Sequence, residues 1–241
     1  RVALITFLLN GYFGSLDEFR VPGTEAVIGS DGVRVEVNGS VEIQGGITIP
    51  HVVYIPDALI LESPSRGRGL AGMLVNSPVS SDVSEPDLYV RLMGILCPGE
   101  MEWDGSQFLY LTSDGMVVPF DDVPTGLRLP AILKRLRSNG VLYRDSVLII
   151  DEPDVHIFPD NIHNLIELLV VMSKYMGIRI LMTTHGAHPV SAFPAFACKH
   201  ALKPGYVMVM DESNAVYTFE DIRLSMSPAY DELNDFWFGV P

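Results

Sequence analysis

Two hydrophobic periods divide this chain. Over 33–37 the period is two: Val33, Val35 and Val37 face one way, Arg34 and Glu36 the other. That alternation predicts a half-buried strand. Asp31-Gly32 and Asn38-Gly39 bracket it as turns, and Val41 to Ile43 returns as the second strand of a hairpin. Ile47 to Ile55 is a further strand, broken by Pro50 and so placed at an edge. Phe108 to Leu111 and Met116 to Val118, with turn signals at Asp104-Gly105 and Asp114-Gly115, predict a hairpin or meander over 101–120.

Elsewhere the spacing is helical. Leu129, Leu133 and Leu136 share a face of a helix over 127–136, with Pro130 near its start, where a first turn tolerates proline. Leu4, Phe7 and Leu8 share a face of a helix over 1–13, ended by Gly11 or Gly14; a buried strand fits the same residues. Glu62 to Pro86 is rich in proline, glycine and serine and predicts a long mobile insertion. It holds a short apolar patch at Leu70 to Val75 and a solvated pair, Arg66 and Arg68. Tyr206 to Met210 and Val216 to Phe219 are late strands, and the aromatic end, Asp235 to Gly239, is expected to dock on the body.

The segment with most consequence is Val147-Leu148-Ile149-Ile150, which ends abruptly in Asp151-Glu152-Pro153-Asp154. Its apolar run lacks alternation, as in a parallel strand buried on both faces. Asp160 is a helix N-cap candidate; Ile162, Leu165, Ile166 and Leu169 follow at helical spacing, and Gly177 is a C′ stop. Ile178 to Met182 is the next strand and runs into Thr183-Thr184-His185-Gly186. A strand, a helix and a strand make a right-handed crossover unit with both strands parallel. Asp151 and Glu152 should then lie beside Thr183, Thr184 and His185, at the sheet edge where open α/β folds bind ligands.

Composition narrows the options. The chain has 241 residues, 48% of them hydrophobic, which is ample for a core. Sixteen basic against thirty acidic residues give a net charge of −14. That excludes a surface built mainly to neutralise nucleic-acid phosphates. Cys97 and Cys198 stand alone, with neither a disulfide framework nor a zinc spacing, so a reducing, cytoplasmic setting is expected. No segment is long and apolar enough to predict a membrane span.

A carboxylate at a strand end can hold Mg²⁺ through water, and its neighbour can deprotonate an attacking water. A histidine one strand over can sense a γ-phosphate. Together these are the hydrolytic parts of a nucleoside triphosphate site. Asp151, Glu152, Asp154, His156 and His185 are also metal-ligand types, which leaves a metallohydrolase as a lesser alternative.

The segment Leu148 to Pro159 resembles the Walker B and D-loop region of ABC-type P-loop ATPases. It is most similar to the soluble branch of SMC-like, RecF-like and OLD-family domains, AAA-domain ATP-binding proteins of archaeal type, where the pattern is DEPE-x-HLHP. Thr183-Thr184-His185 resembles that family's switch histidine, and Asp121 to Arg128 its signature segment. Val53-Tyr54-Ile55-Pro56 resembles the strand before its arginine-bearing loop. The likeness is strongest over 121–189. Departures are Pro124 and Thr125 in place of serines, Phe158 in place of histidine, and the lack of any Gly-x-x-x-x-Gly-Lys-Ser/Thr.

The resemblance implies an α/β P-loop NTPase fold, with a parallel core sheet, helices and a β-rich antiparallel arm. Residues 1–120 would form the N-terminal helix and arm, with the insertion near 62–86; residues 121–241 would form the ATPase core. It implies ATP and Mg²⁺ as cofactors, Asp151 on the metal, Glu152 as base and His185 on the γ-phosphate. Thr125 and Gly126 would touch the nucleotide of a second subunit in a head-to-tail homodimer. A DNA or protein partner would belong to the full assembly. The helix over 1–13 would be the one following a phosphate loop, so the chain would start just past its Walker A and hydrolyse ATP poorly alone. The alternative is a degenerate, non-hydrolysing fold kept for protein interaction.

Overall fold

The computed structural model describes residues 5–9, 19–20, 26–30, 33–37, 41–44, 51–55, 69–79, 84–155, 157–184, 186–202, 207–211 and 216–220. The aromatic end at 235–239, and both His156 and His185, lie outside the described residues. Among the described residues no helix is long and apolar enough to cross a membrane.

The predicted crossover is present. Val147–Ile150 (β10) and Arg179–Thr184 (β11) pair in parallel, Leu148 opposite Ile180 and Ile150 opposite Met182. Pro159–Met176 (α4) connects them. Its apolar positions bury Ile162, Leu165, Ile166 and Leu169 as expected. The entry differs by two residues: Pro159 opens the helix, Phe158 is the N-cap, and Asp160 lies inside the first turn. There its charge still favours the positive end of the helix dipole. Gly177 closes α4 with a left-handed φ of 71°. A side chain there would be strained and would crowd the Arg144 guanidinium 3.1 Å away.

Val52–Ile55 (β6) extends the parallel group, with Val53 opposite Leu148 and Ile55 opposite Ile150. It is the edge strand that Pro50 predicted. On the other side of β11 the sheet turns antiparallel. Ile5–Leu9 (β1) pairs with β11 and with Val207–Asp211 (β12), which forms a hairpin with Val216–Glu220 (β13). The sheet order is β13-β12-β1-β11-β10-β6.

This corrects the first segment: 5–9 is a strand, not a helix that would follow a phosphate loop. Five residues beginning with Ile5-Thr6 suit a pleated strand, and two neighbouring strands supply the backbone partners that an isolated helix would need to find in itself.

A second correction concerns β10. Leu148 and Ile150 are buried, but Val147 and Ile149 are only half-buried. On β6, Val52 and Tyr54 are exposed. The apolar run therefore marks one closed face and one partly open face.

Phe19–Arg20 (β2), Ala26–Ser30 (β3), Val33–Val37 (β4) and Val41–Gln44 (β5) form a separate antiparallel sheet, with Val37 opposite Val41 as the hairpin reading required. Glu100–Trp103 (β7), Phe108–Leu111 (β8) and Val117–Pro119 (β9) form the predicted meander.

The predicted insertion over 62–86 is in part helical. Gly69–Leu74 (α1) buries Ala71 and Leu74, and Asp87–Leu96 (α2) follows it. Thr125–Ser138 (α3) locks both in place. Arg135 donates to the carbonyls of Leu74 and Asn76 at 3.1 and 2.8 Å, and Asn139 donates to that of Met73 at 2.7 Å. Lys134 reaches the carbonyls of Cys97 and Gly99 and pairs with Glu100. Two cations and one amide thus satisfy carbonyls at and just beyond the ends of α1 and α2. α3 also starts earlier than expected, so Pro130 is its sixth residue, inside the helix, where it cannot donate to Gly126. Ala187–Lys199 (α5) packs on α4, which also packs on α2.

Candidate functional site

At the carboxyl end of the parallel strands, β10 passes directly into the acids. The Asp151 amide still bonds the Ile55 carbonyl at 3.0 Å, so Asp151 stays in register with β6. Glu152 then turns away with a left-handed φ of 46°. This conformation costs a non-glycine residue about 1 kcal/mol or more. The Glu152 amide holds the turn by donating to both the carbonyl and Oγ1 of Thr183, at 3.1 and 3.2 Å. Two short bonds then continue the loop, from the Val155 amide to the Glu152 carbonyl and from the Ile157 amide to the Asp154 carbonyl. Pro153 and Ile157 are buried beneath it; Phe158 is exposed.

The two threonines that end β11 join its loop to this one. The Thr183 hydroxyl donates to Asp151 Oδ1. The buried Thr184 hydroxyl donates to Asp154 Oδ1 at 2.6 Å and accepts from the Gly186 amide at 2.9 Å. Side chains point alternately to the two faces of a strand, so Thr183 and Thr184 reach different carboxylates from adjacent positions. Asp151 is exposed and Glu152 half-buried. Asp151 and Glu152 therefore share one sheet edge with Thr183 and Thr184, as the parallel crossover predicted, and Asp154 joins them there. His185 follows Thr184 in sequence and lies outside the described residues.

Thr125 and Gly126 occupy another element. They open α3 after the Pro124 N-cap, Thr125 exposed and Gly126 half-buried. Arg128 folds back to the carbonyls of Val123 and Asp121, at 3.0 and 2.6 Å, and ties this entry to the preceding turn. Among the described residues neither Thr125 nor Gly126 hydrogen-bonds to the acidic edge.

The donors at the edge are carboxylate and hydroxyl oxygens, the hard ligand type that suits Mg²⁺. Asp151 at the solvent-facing strand end fits an ion that keeps much of its water. Among the described residues no group of three or more His, Cys, Asp and Glu could hold a metal by itself. That set suits an ion shared with a bound phosphate better than an all-protein cage.

Sequence reasoning assigned no role to Thr183 or Thr184 and treated Asp154 only as a metal-ligand type. The missing signal was register: two hydroxyls at the end of one strand face three acids after its parallel neighbour.

A second polar cluster lies inside the helical layer. Glu167 of α4 accepts from Lys199 at 2.6 Å and contacts His200 Nε2 at 2.9 Å. The Tyr175 hydroxyl lies 3.3 Å from His200 Nδ1. Burial pushes the Glu167 carboxyl up, but hydrogen bonds from Lys199 and His200 outweigh it and hold the group below the usual range. This cluster ties α4 to the end of α5.

A model of the family described as "AAA domain, putative AbiEii toxin, Type IV TA system" matches residues 48–187. That span is more than half of the 241 residues. It runs from just before β6 to the start of α5 and so contains all three parallel strands and the cross-linked loops. No curated protein and no solved structure matches the chain.

Proposed function

The chain belongs to this family of AAA-type P-loop nucleotide-binding domains, and from that premise we propose that its acidic edge is the hydrolytic half of an ATP site. The parallel strands β6, β10 and β11, with their helices and the antiparallel sheets, form the α/β P-loop NTPase fold. The observation that carries the proposal is the pairing of loops: Asp151 and Glu152 leave β10 directly against Thr183 of β11.

In this reading Asp151 holds Mg²⁺ through water. The ion, when bound, neutralises charge on the phosphate oxygens. Glu152 takes a proton from the attacking water. Thr183 Oγ1 keeps Asp151 oriented while its carbonyl and hydroxyl fix the Glu152 amide. His185 contacts the γ-phosphate. Thr125 and Gly126, at the exposed start of α3, act on the nucleotide of a second copy in a head-to-tail homodimer. The SMC-, RecF- and OLD-like branch remains the nearest reading of the motifs, in a cytoplasmic protein whose core is mostly 121–241 and whose 1–120 supplies the arm together with the core strands β1 and β6. DNA or a further protein would be the partner of the assembly.

The 241 residues contain no Gly-x-x-x-x-Gly-Lys-Ser/Thr, and that observation supports a second reading. The fold would then serve protein interaction without hydrolysis. Glu152→Gln in the complete protein separates the two. The enzyme reading expects hydrolysis to fall by about a hundredfold or more, with ATP still bound and dimers trapped. Unchanged turnover removes Glu152 from its role, and failure of the unaltered protein to bind ATP favours the interaction module.

A further inference from the structure

Asp154 lies outside the pair assigned to metal and water, yet it too is held by a threonine of β11. Its Oδ1 accepts from the buried Thr184 hydroxyl, and Thr184 Oγ1 in turn accepts from the Gly186 amide. The three groups form a relay, Gly186 N–H to Thr184 Oγ–H to Asp154 Oδ1, in which each bond polarises the next. Its other oxygen closes the remaining space. A Cβ at position 186 would overlap Asp154 Oδ2 and lie 3.0 Å from Pro189 Cδ. The φ of Gly186 is −86°, a value any residue adopts, so glycine serves here to leave room for the Asp154 carboxylate and not for conformation. Gly186 is also the N-cap of α5, which provides no side-chain cap of its own. The Asp154 carboxylate therefore stands at the positive end of a 13-residue helix.

Thr184 and Gly186 are the two residues that flank His185 in sequence. We propose that Asp154 is a positioning residue for the hydrolytic edge: it fixes the main chain at Thr184 and Gly186, the end of β11 and the entry of α5. It does so from the loop that also carries Asp151 and Glu152. One loop thus carries the metal-side acids and also holds the end of β11, through Thr183 and Thr184. The role in catalysis rests on the ATPase reading above; the role in holding the main chain does not.

The test uses the complete protein with four substitutions and two readouts. Asp154→Ala removes the acceptor. Thr184→Val removes the relay hydroxyl at nearly constant volume and so guards against a variant that merely fails to fold. Asp154→Asn and Thr184→Ser keep an acceptor and a hydroxyl. Hydrogen exchange at the Gly186 amide should quicken about tenfold or more in Asp154→Ala and Thr184→Val, with the amides of Leu148 and Ile180 unchanged. In the same two variants kcat should fall about 10–100-fold, the range found when an orienting partner is lost, with KM moved less than about threefold. Asp154→Asn and Thr184→Ser should keep most of both. Unaltered exchange at Gly186 overturns the proposal whatever the ATPase does. Faster exchange with undiminished kcat, in a protein that Glu152→Gln does inactivate, also overturns it. If Glu152→Gln has no effect, the ATPase reading fails, and the positioning claim is decided by exchange alone.

Discussion

The two ends of the same three parallel strands are built in different ways. At the amino end, backbone closes the structure. The Val147 amide bonds the His51 carbonyl at 2.8 Å, the Arg179 amide bonds the Ser146 carbonyl at 2.9 Å, and the Asp145 amide bonds the Gly177 carbonyl at 2.9 Å. Its positive-φ positions are Gly177 and Asp145, residue types that tolerate the left-handed region. The ion pair there between Arg179 and Asp145, at 3.6 Å, involves an Asp145 side chain that is 71% exposed, so solvent screens it. At the carboxyl end, side chains close the structure. Thr183 and Thr184 bridge to Asp151 and Asp154, and the left-handed residue is Glu152, a type with a long side chain that rarely adopts this conformation. Backbone closure can be kept by many sequences. Side-chain closure around three acids is demanding, and it is where strain and polarity collect when a sheet edge carries chemistry.

The difference predicts that substitutions at the carboxyl end alter activity more than stability, and those at the amino end the reverse. The largest effect is expected for Asp151→Ala in the complete protein. Mg²⁺-dependent hydrolysis should drop by about a hundredfold or more, while the thermal midpoint stays close to that of the unaltered chain. A matching loss of stability would erase the contrast between the ends.

Next comes the buried cluster that belongs to neither end. Glu167→Gln should cost roughly 1–3 kcal/mol, since it weakens charge-assisted bonds in a buried setting; Lys199 is exposed enough that its share is reduced. The sign of the pH effect follows from the lowered Glu167 carboxyl. Its contribution is complete above the unfolded glutamate value of about 4.3 and fades as pH falls through the lower folded value. Urea midpoints from pH 6 to pH 3 should therefore decline more steeply in the parent than in Glu167→Gln. Parallel curves would contradict the assignment.

Gly177→Ala should destabilise by about 1–2 kcal/mol, through the left-handed φ and the crowded Arg144, and leave nucleotide hydrolysis per folded molecule unchanged. Denaturant unfolding beside an activity assay checks both halves. The smallest effect is expected on the open face of β6. Val52→Thr, at a side chain 40% exposed, should change stability by less than about 0.5 kcal/mol. A larger loss would mean that this face is covered in the working protein.

Much of this contrast was legible in the sequence. The apolar run, the acids, the spaced leucines and Gly177 specify one crossover unit, and each local signal agrees with the others. The parallel pairing then followed from handedness alone. Other elements were not legible, for identifiable reasons. Leu4, Phe7 and Leu8 satisfy a helical face, but β1 is decided by hydrogen bonds to β11 and β12, which are remote in sequence. α1 lies within a segment dominated by glycine, proline and serine, and its stability comes from Arg135 and Asn139 more than sixty residues later. α5 contains Pro189 and Pro194, which interrupt the spacing that would announce a helix. At the site, Asp151 and Glu152 were visible as types. The bonds from Thr183 and Thr184 were not, because they depend on a register that no linear pattern records.

The central claim is that nucleotide-bound metal sits at the carboxyl end of β10. Mn²⁺ in place of Mg²⁺, with ATP, broadens the amide resonances nearest to it, and the complete protein is the sample to use. The account predicts ATP-dependent broadening at Asp151, Glu152 and Thr183, with Asp145 and Val147 at the opposite end of the strand left sharp. Broadening at Asp145 in place of Asp151, or none at the acids with ATP bound, would contradict it.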